Sequence, residues 1–231
     1  MIKAILFDID NTLLDFDGYV KESLIEGFRE FGLGKYSEEV YAVFQRINTE
    51  LWKRIELGTL TYDELMKIRW NTIFRELGIE YDGVLFEKYF KGRLFYSAIP
   101  VEGAYEILDY LKDKYLLAVA SNGPLAQQKN RLKTADMDKY FSYVFVSEEI
   151  GFSKPSREFF DYCIKAINEG LKNPIAPEEI MIVGDSLSSD IRGAIDSKIA
   201  SCYFDRKGNG KTEGFLPDFT INKLTELTNI L

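Results

Sequence analysis

Lys3-Ala4-Ile5-Leu6-Phe7-Asp8-Ile9-Asp10-Asn11-Thr12 decides how the rest of the chain is read, because an unbroken apolar run halts there in two carboxylates spaced two residues apart. A strand buried on both faces of a parallel sheet reads as continuous Val, Ile, Leu and Phe, without the alternation of a half-exposed strand. Open α/β sheets bind their ligands beyond the carboxyl ends of such strands. Asp8 and Asp10 therefore stand where chemistry is expected.

The same grammar recurs downstream. Leu116-Leu117-Ala118-Val119-Ala120 stops in Ser121-Asn122-Gly123, and the run from Ile180 to Val183 stops in Gly184-Asp185, with Asp190 five residues further on. Further strands are expected from Tyr143 to Val146 and from Ala200 to Phe204, with helices between them, one through Ile107, Leu108 and Leu111. Between the second and third polar tips lies Lys154-Pro155, where the proline biases Lys154 toward extended backbone and hence a loop. One long interruption breaks the alternation: from about Tyr19 to about Tyr96 only helical periodicity is found. Its clearest stripe runs through Val40, Val43, Phe44, Ile47, Leu51 and Ile55, with Gly58 as a stop, and a second passes through Leu65, Ile68, Phe74 and Leu77 to Gly78. The expected architecture is α/β: a Rossmann-like core with a parallel sheet over residues 1–17 and 97–231, and a helical insert over residues 18–96.

Composition narrows the chemistry. The 231 residues suffice for one sizeable domain with an insert, and 46% hydrophobic content supplies a core. A formal charge of −8 without a basic block argues against extended nucleic acid as a partner, and no apolar stretch approaches a membrane span. The first residues lack the layout of a secretory signal, so a cytoplasmic location is expected, with Cys163 and Cys202 reduced and buried. There is no histidine, which removes Ser-His-Asp catalysis and every His-ligated metal centre. Carboxylate, lysine, hydroxyl and a hard cation remain.

The four motifs, in this order and on these elements, resemble those of the haloacid dehalogenase superfamily of aspartate-nucleophile phosphohydrolases, over nearly the whole chain. The insert is similar to that family's C1 cap, a lid over the substrate. The resemblance implies Asp8 as the nucleophile that forms an aspartyl-phosphate, and Asp10 as the acid and base that protonates the leaving alkoxide and then activates water. It implies a Mg²⁺ ion held by Asp8, Asp10 through its backbone carbonyl, and Asp185, with Asp190 orienting the metal directly or through water. Ser121, Asn122 and Lys154 become the donors that clamp the transferring phosphoryl oxygens. Dehalogenases of the same superfamily lack the second aspartate, so Asp10 favours phosphoryl chemistry. Within the superfamily, Asn11, the Leu51-Trp52 pair and Ser147-Glu148-Glu149-Ile150-Gly151 resemble the noncanonical pyrimidine nucleotidases, which implies nucleoside 5′-monophosphates as substrates. Phosphoglycolate, N-acylneuraminate 9-phosphate, a phosphosugar mutase reaction and a non-enzymatic ligand-binding role are the alternatives.

Each residue alone has a plainer explanation. An aspartate after a strand is ordinarily a turn or cap residue, Ser121-Asn122-Gly123 reads as a turn with Gly123 at positive φ, and a single lysine is usually solvated. Trp52 and Trp70 are expected to pack rather than to stack on a base, and Glu148 and Glu149 to be loop and helix-start acids. It is the ordered set that points to a site.

Overall fold

Strand β1 is Ala4–Phe7, and four helices follow it: α1 Phe16–Glu30, α2 Glu38–Glu56, α3 Tyr62–Leu77 and α4 Gly83–Tyr96. The remainder alternates: α5 Ala104–Leu111, β2 Leu116–Ser121, α6 Leu125–Thr134, β3 Tyr143–Val146, α7 Ser147–Ile150, α8 Arg157–Asn168, β4 Ile180–Gly184, α9 Arg192–Ser197, β5 Ala200–Phe204 and β6 Phe219–Ile221. This computed structural model describes residues 1–210, 212 and 214–231. The chain divides into two compact units, Met1–Asp15 with Ala98–Leu231, and Phe16–Ser97.

The first unit is built on one sheet of order β3-β2-β1-β4-β5-β6, with every neighbouring pair parallel. All four residues of β1 are fully buried because both faces of the sheet are covered. Ile5 and Phe7 pack with Leu108, Leu111, Leu132 and Leu224, while Ala4 and Leu6 pack with Phe159, Phe160 and Cys163. That split follows from the twofold period of a strand, and it explains why the sequence shows an apolar run instead of alternation. Phe7 lies level with Val119 of β2 and Val183 of β4, so the residues that follow these three positions emerge side by side. The sheet passes from β1 to β2 and β3 on one side and to β4, β5 and β6 on the other, so β1 and its neighbours form the point where strand order reverses. The edge strand β6 has no counterpart in the apolar pattern, since Phe219 and Thr220 are exposed. Cys163 and Cys202 are buried and free, and burial pushes the Cys202 thiol up to about 12.

The second unit is all helical. Helix α2 buries Val40, Phe44, Ile47 and Leu51, at spacings of three and four. Thr61 and Glu64 cap α3 reciprocally, and Gly78 ends it in the left-handed region at φ 66°. Trp70 is buried against Phe44, Phe86 and Phe90, so it packs. Arg69, not Ile68, turns fully inward from α3. Its Nε donates to Glu87 Oε2 at 3.0 Å, its Nη1 donates to Asn48 Oδ1 at 2.8 Å, and its guanidinium lies 5.1 Å from the Phe90 ring centroid. Removing one member of a buried pair leaves the other charge uncompensated. Glu87→Ala should therefore destabilise this unit by about 3–5 kcal/mol, read as a lowered midpoint in chemical denaturation.

Candidate active site

The turn after β1 is held by its own backbone. The Ile9 carbonyl accepts the N–H groups of Leu13 at 2.9 Å and Leu14 at 2.8 Å, and the Asp8 N–H donates to Val183 O at 3.0 Å. Curling this tightly requires Asn11 at φ 60°, a left-handed conformation that asparagine tolerates better than most residues. Asp8 is thereby fixed at the strand end, buried, and Asp10 beyond it is partly exposed.

Lys154 joins the strand ends. Its ammonium, almost completely buried, donates to Asp8 Oδ1 at 2.7 Å, to Ala120 O at 2.7 Å and to Asp190 Oδ1 at 2.6 Å. An ammonium has three protons, and all three are used. The Asn122 side chain holds this lysine in place at two points, with Nδ2 donating to Lys154 O and Oδ1 accepting from Lys154 N, both at 2.9 Å. The amide of Asn122 is thus committed to the lysine backbone. Ser121 Oγ accepts from the Gly123 N–H at 3.1 Å and from Gln128 Nε2 at 2.9 Å, which leaves its O–H to donate to an oxygen of a ligand.

Asp190 is fully buried on the helical turn after β4, with Oδ2 accepting the Ser186 N–H at 3.1 Å. Gly184 makes room for it. A Cβ at position 184 would lie 2.2 Å from Asp190 Oδ2. Asp8, Asp185 and Asp190 bring carboxylate oxygens within 4.8 Å of one another, and Asp185 forms no salt bridge among the described residues. The electrostatics follow from this crowding. Burial pushes the Asp8 carboxyl up to about 7 against the pull of Lys154, with Asp190 and Asp10 adding to the rise. Burial also raises Asp185 well above the carboxylate range, helped by Asp8 and Asp190. Burial alone would lower the Lys154 ammonium, but Asp190 and Asp8 outweigh it and hold the lysine charged. The cluster is short of positive charge and offers only hard oxygen donors, which suits a Mg²⁺-like cation.

Two residues outside the sequence reading complete the arrangement. Asp10 Oδ1 accepts from Arg131 Nη1 at 2.6 Å, and Asp10 Oδ2 accepts from Gln128 Nε2 at 2.9 Å, both donors standing on α6. Their spacing of three on a helix that starts just past Ser121-Asn122-Gly123 was the available signal. Gly123 has no positive φ. What it supplies is space, since a Cβ there would meet Gln128 Nε2 at 2.4 Å. Glu148 accepts the Leu125 N–H at 2.7 Å and so caps α6.

Residues 2–197 match the haloacid dehalogenase-like hydrolase family. The chain belongs to that family, and it is a hydrolase by membership. Among its relatives, the putative HAD-hydrolase YfnB of Bacillus subtilis is 30% identical over 229 residues, spanning 99% of this chain and 95% of that one. A crystal structure of YfnB, described as bound to magnesium and revealing interdomain movement, superposes with a TM-score of 0.89 over 100% of this chain and 98% of its own. The pyrimidine 5′-nucleotidase YjjG of Escherichia coli is 29% identical over 98% of this chain and 96% of its own. The pyrimidine 5′-nucleotidase PynA of Streptococcus pneumoniae is 31% identical over 87% of this chain and 83% of its own. No helix among the described residues is long and apolar enough to cross a membrane.

Because Gly184 and Asp190 are in van der Waals conflict for any larger residue, Gly184→Ala should displace the carboxylate from Lys154 and from the Ser186 N–H. The expected cost is about 1–3 kcal/mol of overpacking, measured by denaturant unfolding.

Proposed function

We propose that this protein is a Mg²⁺-dependent phosphatase of small phosphate monoesters, with nucleoside 5′-monophosphates as its preferred substrates. The observation that carries the reading is the clustering of the Asp8, Asp185 and Asp190 carboxylates within 4.8 Å of one another, with Asp8 and Asp190 on one buried ammonium, Lys154. The nucleotide preference is supported by the pyrimidine 5′-nucleotidases among the relatives.

In the proposed reaction Asp8 attacks phosphorus through a carboxylate oxygen, the P–O bond to the ester breaks, and Asp10 gives its proton to the departing alkoxide. Asp10 then takes a proton from water, the water oxygen attacks the aspartyl-phosphate, and phosphate leaves with Asp8 restored. Lys154 orients the Asp8 carboxylate and favours its ionised form, and the Ser121 O–H holds a phosphoryl oxygen, joined by the backbone around Asn122. Asp8, the Asp10 carbonyl and Asp185 would hold a Mg²⁺ ion, with Asp190 orienting it directly or through water, and that ion would supply the charge that lets a carboxylate approach a phosphate dianion.

Phosphate release measured across nucleotides, sugar phosphates, phosphoglycolate and N-acylneuraminate 9-phosphate tests the reading. Pyrimidine nucleoside monophosphates should be the best substrates, and Asp8→Asn should lower turnover below detection while the circular dichroism spectrum stays unchanged. Transfer of the phosphoryl group within a sugar phosphate, without free phosphate, would make the protein a mutase. Turnover of Asp8→Asn near wild type would overturn the nucleophile assignment.

The pH dependence has a definite sign. Without metal, folding raises the Asp8 pKa to about 7, so between the unfolded value and 7 the folded protein holds a proton that the unfolded chain has lost. The contribution of Asp8 to metal-free stability accordingly falls as pH rises through that window, and is fully lost above it. A bound cation requires the ionised carboxylates and competes with that proton. Added MgCl₂ should raise the thermal midpoint more at about pH 8 than at about pH 6, with proton release on binding in calorimetry. Equal shifts at both pH values would contradict the assignment of Asp8 as a ligand.

A further inference from the structure

We propose that Arg131 and Gln128 are positioning residues for proton transfer by Asp10, and that Gln128 ties this acid–base carboxylate to the phosphate-binding hydroxyl of Ser121. The inference rests on the phosphatase reading above. Asp10 stands on the turn after β1 with its side chain about one-third exposed, and a carboxylate there has two torsions to fix. Both of its oxygens are bound from the buried side, Oδ1 by Arg131 Nη1 at 2.6 Å and Oδ2 by Gln128 Nε2 at 2.9 Å. The two donors are themselves linked, because Arg131 Nη1 also donates to Gln128 Oε1 at 3.0 Å. Gln128 Nε2 reaches Ser121 Oγ at 2.9 Å as well, so one amide group spans the acid–base residue and the hydroxyl at the end of β2.

Three features argue that this is more than a stabilising ion pair. Arg131 and Gln128 are both fully buried, and desolvating a guanidinium costs several kcal/mol that a partly exposed partner repays poorly. Each carboxylate oxygen has two lone pairs, so a single donor on each fixes the group while leaving a lone pair on each oxygen to carry or accept a proton. Gly123 gives up any side chain in order to admit the Gln128 amide, whose path a Cβ would block at 2.4 Å. A carboxylate misplaced by about 1 Å can cost on the order of 10²-fold in rate, which is the scale at which such positioning matters.

The test exploits leaving-group chemistry. An alkoxide needs a proton to depart, whereas p-nitrophenolate does not, and kcat/KM reports the steps up to transfer of the phosphoryl group to Asp8. Arg131→Met should lower kcat/KM for a nucleoside 5′-monophosphate by about 10²-fold, within the range of general acid catalysis, and for p-nitrophenyl phosphate by less than about tenfold. Arg131→Lys should recover part of the loss. Gly123→Ala, which disturbs Gln128 without removing a polar group, should show the same selectivity with Arg131 intact, and it decides the matter if Arg131→Met does not fold. In an Asp10→Asn background, Arg131→Met should cost nothing further, because the two act as a unit. If both variants depress the two esters by the same factor, or their losses add to that of Asp10→Asn, the positioning role is overturned while the phosphatase reading stands. If the wild-type protein releases phosphate from neither ester, the phosphatase reading itself falls.

Discussion

A buried ammonium holds the site together. Lys154 Nζ is shared by Asp8 after β1, by the carbonyl of Ala120 in β2 and by Asp190 after β4, and these are three neighbouring strands of the sheet. Each carboxylate would be costly to bury alone, and so would the lysine. Their mutual neutralisation lets one small volume contain groups that repel one another. The balance is incomplete by construction: four carboxylates, Asp8, Asp10, Asp185 and Asp190, face the two cations Lys154 and Arg131. The remaining negative charge is a demand for a cation that no other described side chain in the cluster meets.

Positioning falls to residues that carry none of the proposed chemistry. Gly184 gives Asp190 its place, Gly123 admits Gln128, and Asn122 grips the backbone of Lys154 on both its N–H and its carbonyl. Asn11 accepts a left-handed backbone so that the chain can curl directly after Asp8. Each of these is small or has a short polar side chain, and each stands at the end of β1, β2 or β4 or in the turn that follows it.

The strands were legible because the sheet is covered on both faces, which turns burial into an unbroken apolar run. Asp8, Asp10, Ser121 and Asp185 are legible as candidates because polar residues at the ends of such runs have no packing reason to be there, whereas Lys154, in a loop before Pro155, and Asp190, five residues past a strand tip, stand out only through the ordered set of motifs. Arg131 and Gln128 are not legible. Arginine and glutamine on a helix ordinarily face solvent, and Asp10 lies 121 residues from Arg131 in sequence, so the pair exists only once the fold is made. Arg69 is hidden for the same reason, as a charge inside an aromatic cluster at a place that periodicity assigns to Ile68. The Asn122 amide was expected to face a ligand, and only the loop geometry turns it toward Lys154. The strand β6, short and exposed at the edge, carries no apolar run that a reading of the sequence could detect.

The route of the chain around residues 13–15 and 99–101 bears on how this architecture tolerates change. Asp15 N–H donates to Ile99 O at 2.8 Å and Val101 N–H donates to Leu13 O at 2.9 Å, so the outgoing and returning segments are laced to each other within the sheet unit. The 82 residues of Phe16–Ser97 are, topologically, a parenthesis opened and closed at one place. Insertions whose ends are already adjacent impose little loop-closure cost on their host. The helical unit can lengthen, shorten or change its surface over evolutionary time while the register of the parallel strands, and the charges gathered at their ends, remain undisturbed.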